Sequence, residues 1–267
     1  MTTRPTLEHE SANPGQAIVE WFERGWLFTR AAALIAVLML SPSSYAGHHR
    51  HSMALHGWHA VVPGIFSFTL LCSLISSVII RIVLVTAESY GLSQFALQTV
   101  VRVLVLELIP LLSALFVAVQ FTLPASAEVA KLRARGGFDD LRARGIEPLR
   151  REVLPRALAG ALAVPLFAAA AGVVALGLSY LLAYGATPWA FGIYTRVVGR
   201  VFDPSVTLIF AMKTLAFSLI VSMIPMASTF YDRLRGRSGT SVALQNLVRM
   251  ATLILVVEAL SLIGSYY

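Results

Sequence analysis

FALQTVVRVLVLELIPLLSALFVAVQFTL, residues 95–123, carries only two charges, Arg102 and Glu107, along its whole length. It exceeds the roughly 20 apolar residues that a helix needs to cross a bilayer core. Four further stretches read the same way: Val61–Val85, Ala157–Tyr184, Ser205–Phe230 and Val242–Tyr266. Over the 267 residues, 57% are hydrophobic and 13% charged. A soluble domain carries about 25% charged residues, so a water-facing surface would go uncovered here. Continuous apolar runs also exclude a β-barrel, whose strands alternate over short segments. The fold class is therefore an all-α integral membrane protein with five transmembrane helices.

A sixth apolar segment, GQAIVEWFERGWLFTRAAALIAVLML at 15–40, is interrupted by Glu20, Glu23, Arg24 and Arg30. With Trp21 and Trp26 among those charges, it reads as an N-terminal helix lying in the membrane interface. The polar opening MTTRPTLEHESANPGQ lacks the cationic-then-apolar order of a signal peptide. Residues 1–59 thus form the N-terminus and interfacial helix, and 60–267 the five-helix domain. The single cysteine, Cys72, rules out an internal disulfide.

Charge sets the orientation. The net charge is +7, and much of it lies between the spans. Thr86–Gln94 has no Lys or Arg, whereas Lys131–Arg156 holds eight and Tyr231–Thr240 three. Both basic loops fall on one side, which the positive-inside rule makes cytoplasmic. The N-terminus is then cytoplasmic and the C-terminus external. Arg196 and Arg200, in the external loop Pro188–Ser205, run against this trend. Basic charge gathered so largely in such loops favours membrane topology over a nucleic-acid footprint.

Enzymatic motifs are absent. The sequence has no P-loop, no H-E-x-x-H and no G-x-S-x-G. HHRHSMALHGWH, His48–His59, holds imidazoles without the cysteine or acid that completes a structural zinc set, so no metal is expected there. It reads as a polar juxtamembrane stretch meeting headgroups.

RARGGFDDLRARGIEPLRREVLPRALAG, Arg133–Gly160, breaks the apolar pattern most sharply. Gly136–Gly137 interrupts the chain after the second span. FDDLRAR then makes about two helical turns, with Asp139 and Asp140 near the positive end and Arg142 and Arg144 near the negative one. Gly145 stops that helix, and Pro148 opens the next. A short charged helix at about 133–150 thus sits at the membrane surface.

These residues carry a resemblance. Glu107, Leu108 and Pro110, then Ala127, Glu128 and Val129, then Gly145, Ile146, Glu147 and Pro148 with Pro155 and Arg156, resemble the motifs of MlaE-family permeases. Lys213 in AMKTLAFS matches a family lysine of the fourth span, and Glu258 stands where the family usually has aspartate. The chain departs from the pattern at Leu106, Val119–Thr122, Ala130, Leu132 and Gly136–Gly137. The resemblance implies the permease subunit of an ABC transporter moving phospholipids between inner and outer membranes of a bacterial envelope. It implies a homodimer joined by two ATPase subunits and an MCE-domain protein on the periplasmic side. ATP and Mg would be bound by the ATPase, and the permease itself would hold no cofactor. The charged loop would be the coupling helix, with Glu128, Asp139, Asp140, Arg142, Gly145, Glu147 and Pro148 serving ATPase coupling. The alternatives are an integral membrane enzyme acting on lipid headgroups, which lacks a nucleophile or metal motif, and a scaffold, which needs no charges within its spans.

Ionisable residues inside a span are costly and mark function by default. Counted from the outer ends of their spans, Lys213 and Glu258 both lie about 12 Å deep and Glu107 about 18 Å, at 1.5 Å per residue. Lys213 is expected to be neutralised by Glu258, Glu107 or both. Arg102 shares a helix face with Leu106 and stands in for the family arginine missing there. Tyr90, Ile79 and Leu97 are expected to line a lipid cavity beside this cluster, whereas Arg81 snorkels to headgroups. The small residues of Gly160–Gly177 permit close approach of a neighbouring helix.

The orientation is open to a direct test. A cysteine replacing Ser89 should react with an impermeant thiol reagent from outside intact cells, and one replacing Ser238 should not; the reverse pattern inverts the topology.

Overall fold

Lipid offers no hydrogen bonds to a backbone, so a chain of this hydropathy must satisfy its amides within helices. The computed structural model describes Val37, residues 49–231 and residues 239–266. Among these residues every regular element is helical. Five helical stretches are long and apolar enough to span: Val61–Ser89, Phe95–Ala134, Leu149–Tyr184, Pro204–Ser228 and Ala243–Gly264. Apart from Val37, the expected interfacial helix at 15–40 lies outside the described residues, as do 232–238 of the second basic loop.

The first span is the greater part of α1 (His49–Ser89), which begins within the His48–His59 run; side chains before Val61 are not described. The second is built from α2 (Ser93–Val100), α3 (Ile109–Val117) and α4 (Leu123–Ala134), joined by π-helical turns at Val101–Leu108 and Ala118–Thr122. After the short α5 (Gly137–Ala143), a π-helical turn at Leu149–Val153 leads into α6 (Leu154–Tyr184), the third span. An amphipathic helix, α7 (Phe191–Val201), follows, and α8 (Pro204–Tyr231) and α9 (Gly239–Tyr266) carry the last two spans.

The sequence predicts unbroken α-helices, and the π turns have a shared cause. Each ends two residues before a proline: Pro110, Pro124 and Pro155 stand second in α3, α4 and α6. Proline supplies no N–H, and its ring clashes with the carbonyl four residues back. That carbonyl belongs to Leu106, Gln120 and Arg151, each within the π turn. Widening the turn relieves the clash while keeping most amides bonded. Pro165 and Pro225 sit in α6 and α8 without such a turn, and nothing in the structure explains the difference.

The second span is the most buried of the five, and the first and fifth face outward most. The first span packs chiefly on the third, the third on the fourth, and the fourth on the fifth, with the second span against the third and fourth. Four rings close the centre: Phe68, Phe116, Phe121 and Phe167, with successive centroids 4.9–6.3 Å apart. Gly64 of α1 makes room for them, since a Cβ there would stand 2.5 Å from the Phe121 ring and 3.2 Å from Phe167.

Polar side chains bind the spans further. Ser218 of α8 donates to the carbonyl of Ala161 in α6, and Asn246 of α9 donates to Ser228 Oγ of α8 at 2.6 Å.

The expected outer loop is largely helical. Tyr194, Val197, Val198 and Val201 repeat at helical spacing and turn one face of α7 to the bundle. The Tyr194 hydroxyl donates to Leu176 O at 2.7 Å and lies 3.0 Å from Ser179 Oγ. Burial raises the pKa of Tyr194, while the Ser179 hydrogen bond acts the other way; the phenol stays neutral and able to donate.

Gly64→Ala should overpack the ring cluster and cost about 1–3 kcal/mol. Thermal unfolding in detergent measures this, and Phe121→Leu in the same chain should restore part of the loss.

Candidate functional site

Three spans deliver one ionisable side chain each to a common point. The π turn of the second span carries Glu107, α8 carries Lys213 and α9 carries Glu258. Lys213 Nζ donates to Glu107 Oε2 and lies 3.5 and 3.3 Å from Glu258 Oε1 and Oε2. Its side chain is 2% exposed, against 14% for Glu107 and 12% for Glu258. The lysine is therefore shared unequally: closely held by Glu107 and more loosely by Glu258. Glu258 Oε2 is buried and makes no hydrogen bond of its own, but it is charge-paired with Lys213 at 3.3 Å.

The π turn shapes this site. Sequence spacing in an α-helix sets Arg102 on the face of Leu106 and well away from Glu107. A π turn closes on the fifth residue rather than the fourth, which brings Arg102 and Glu107 towards one face. Arg102 is half-buried there, and Leu106 points into the core.

Tyr90, Ile79 and Leu97, also expected at a lipid cavity, differ in burial. Leu97 is buried in the bundle core, Ile79 packs against that core, and Tyr90 is 77% exposed beyond the first span. Arg81 is exposed.

At the other end of the second span, the charged loop folds compactly. Gly136 and Gly145 bracket α5 with φ of +79° and +72°, the left-handed region that glycine enters without strain. Asp139, Asp140 and Arg142 are exposed, with Arg142 Nη1 3.7 Å from Asp139. Glu147 pairs with Arg150 Nε at 3.0 Å, and Pro148 is buried. Glu128 lies apart from α5, on α4, 3.9 Å from Arg156 Nη2.

Sequence reasoning passed over Phe138. It is the one buried residue of α5, and it enters a second core made by Val129, Val153, Leu154, Ala157, Met223 and Met226. Those residues belong to the second, third and fourth spans and the turn between them. The available signal was a lone aromatic among charges. Every other residue of α5 is half-buried or exposed, so Phe138 is the apolar plug by which the helix is held.

A protein-family model described as Permease MlaE matches residues 53–263, covering all five spans, the charged cluster and α5. No curated protein matches the chain.

The cluster predicts a graded response. Lys213→Met leaves two acids without their cation, and breaking such a buried pair costs about 3–5 kcal/mol. Glu107→Gln should destabilise more than Glu258→Gln, because the lysine sits closer to Glu107. The triple neutral variant should recover much of the loss. Thermal unfolding of the purified protein checks the order; independent, additive losses would exclude a shared ion cluster.

Proposed function

The chain belongs to the MlaE permease family and is a multi-pass membrane permease of a lipid ABC transporter, and from that premise we propose that α5 couples an ATPase to movement of its spans. The observation that carries this reading is Phe138. A force on the exposed face of α5 reaches Phe138, and through it the ends of the second, third and fourth spans at once. Gly136 and Gly145 let α5 turn sharply at both ends, so it acts as a short rigid lever instead of a slack loop.

Orientation follows the charge distribution: α5 and the N-terminus lie in the cytoplasm and the C-terminus in the periplasm. Asp139, Asp140 and Arg142 offer the partner both signs of charge, with Glu147 and Arg150 beside them. The ATPase holds ATP and Mg, and the permease supplies the path. The functional unit contains two copies of this chain, and an MCE-domain protein meets it on the periplasmic side. Phospholipid is the cargo, carried between inner and outer membranes.

The Glu107–Lys213–Glu258 cluster supplies the polar element of that path. It fixes the second, fourth and fifth spans to one another near the middle of the membrane. The π turn makes the second span the compliant element between this cluster and α5.

Two variants separate docking from transmission. Replacing Asp139, Asp140 and Arg142 with alanine should weaken copurification with the ATPase while leaving membrane insertion intact. Phe138→Ala should keep the ATPase bound but lower lipid transfer per ATP hydrolysed by about tenfold, within the range of ordinary coupling energies. Unchanged transfer by a folded Phe138→Ala protein would refute the lever.

A further inference from the structure

A cleft opens between the second and third spans, on the α5 side of the molecule and away from the Glu107–Lys213–Glu258 cluster. Its volume is about 190 Å³. Gln120, Phe121, Pro124, Ala125 and Glu128 line one wall, and Arg156 and Ala159 stand on the other.

Two opposite charges face each other here without closing. Arg156 Nη1 is engaged by the carboxylate and the carbonyl of Glu152, both at 2.7 Å. Its Nη2 edge reaches Glu128 only at 3.9 Å, too far for a hydrogen bond. Arg156 is mostly buried, its side chain 18% exposed, whereas Glu128 is 68% exposed. A held guanidinium and a more exposed carboxylate therefore flank one small cavity.

Depth places the cleft at a headgroup layer. A helix entering the bilayer at Phe95 uses about 20 residues to cross its core, so Gln120–Glu128 lie just beyond it. An apolar track leads back into the membrane from the cleft. Leu162 and Leu166 follow Ala159 at helical spacing on α6, 66% and 49% exposed, and Val119 is exposed on the facing span.

We propose that this cleft binds a phospholipid whose headgroup carries a primary ammonium, with phosphate on Arg156, ammonium on Glu128 and an acyl chain along Leu162 and Leu166. The carboxylate selects an N–H donor. A quaternary ammonium has none and is held by aromatic faces, and the cleft offers a single ring, Phe121. An anionic headgroup without an amine would set its charge beside Glu128. The site is separate from the mid-membrane cluster, and its occupancy does not depend on ATPase docking.

Native mass spectrometry of the full-length permease alone, delipidated in detergent, tests the assignment. The titrants are phosphatidylethanolamine, phosphatidylcholine, phosphatidylglycerol and water-soluble phosphoethanolamine. Phosphatidylethanolamine should bind about tenfold more tightly than phosphatidylcholine, the ratio expected for one charge-assisted hydrogen bond. Glu128→Gln, at an exposed position, should fold normally and reduce that ratio to near one. Ala159→Phe should fill the cleft and abolish the preferred binding with both charges in place. Equal binding of the three lipids, or a preference that survives Glu128→Gln, overturns the proposal. Soluble phosphoethanolamine competing as well as the lipid would overturn the acyl track and leave a site for the free headgroup. Because no ATPase is present, failure here is distinct from failure of the α5 lever.

Discussion

An ammonium ion within a bilayer has nowhere to go but to an acid. That constraint on Lys213 organises the bundle. Glu107 and Glu258 must meet it, so three helices far apart in sequence are fixed in rotation and in depth against one another. Apolar contacts between helices in lipid set neither quantity strongly, since lipid tails are as apolar as leucine. Serine and asparagine contacts add local restraint, but an ionic contact at a single depth leaves much less room for sliding.

The second span joins this fixed point to the cytoplasmic end. It is the most buried span, and the one with two π turns. One turn presents Glu107 to Lys213; the other carries Gln120 and Phe121 beside the Arg156 cleft. Below them, Val129 touches the core that receives Phe138. Cluster, cleft and lever are thus arranged along one helix, whose irregularities are set by two prolines.

Much of this was legible in the sequence because the membrane simplifies the grammar. Apolar run length gave five spans, and the helices extend those runs at their ends, as α4 does to Ala134, where charged residues continue a helix past the hydrocarbon. Lys213 and its two acids stood out because charges in apolar runs are rare. The π turns were not legible as such, since sequence reading treats a proline as a break or a helix start and does not weigh a widened turn. Phe138 was hidden by its charged neighbours, and α7 by being read as a loop despite the spacing of Tyr194, Val197, Val198 and Val201. Leu97 and Tyr90 show the opposite limit: nearness in sequence to a charged cluster does not say whether a side chain turns to the core or to the outside.

The separation of Glu107 from Lys213 also bears on how the chain is made. The two partners lie 106 residues apart. At about 5–20 residues per second of synthesis, the acid emerges roughly 5–20 s before its lysine exists. Glu258 follows later still, so the second and fourth spans enter the membrane machinery ahead of their last partner. A charge at a helix centre carries an insertion penalty of about 2.5–3.5 kcal/mol, which an early span bears unaided or avoids by waiting at a sheltered, hydrated site. The bundle's most buried helix is thus made second, yet its charge cluster is complete only when the fifth span arrives.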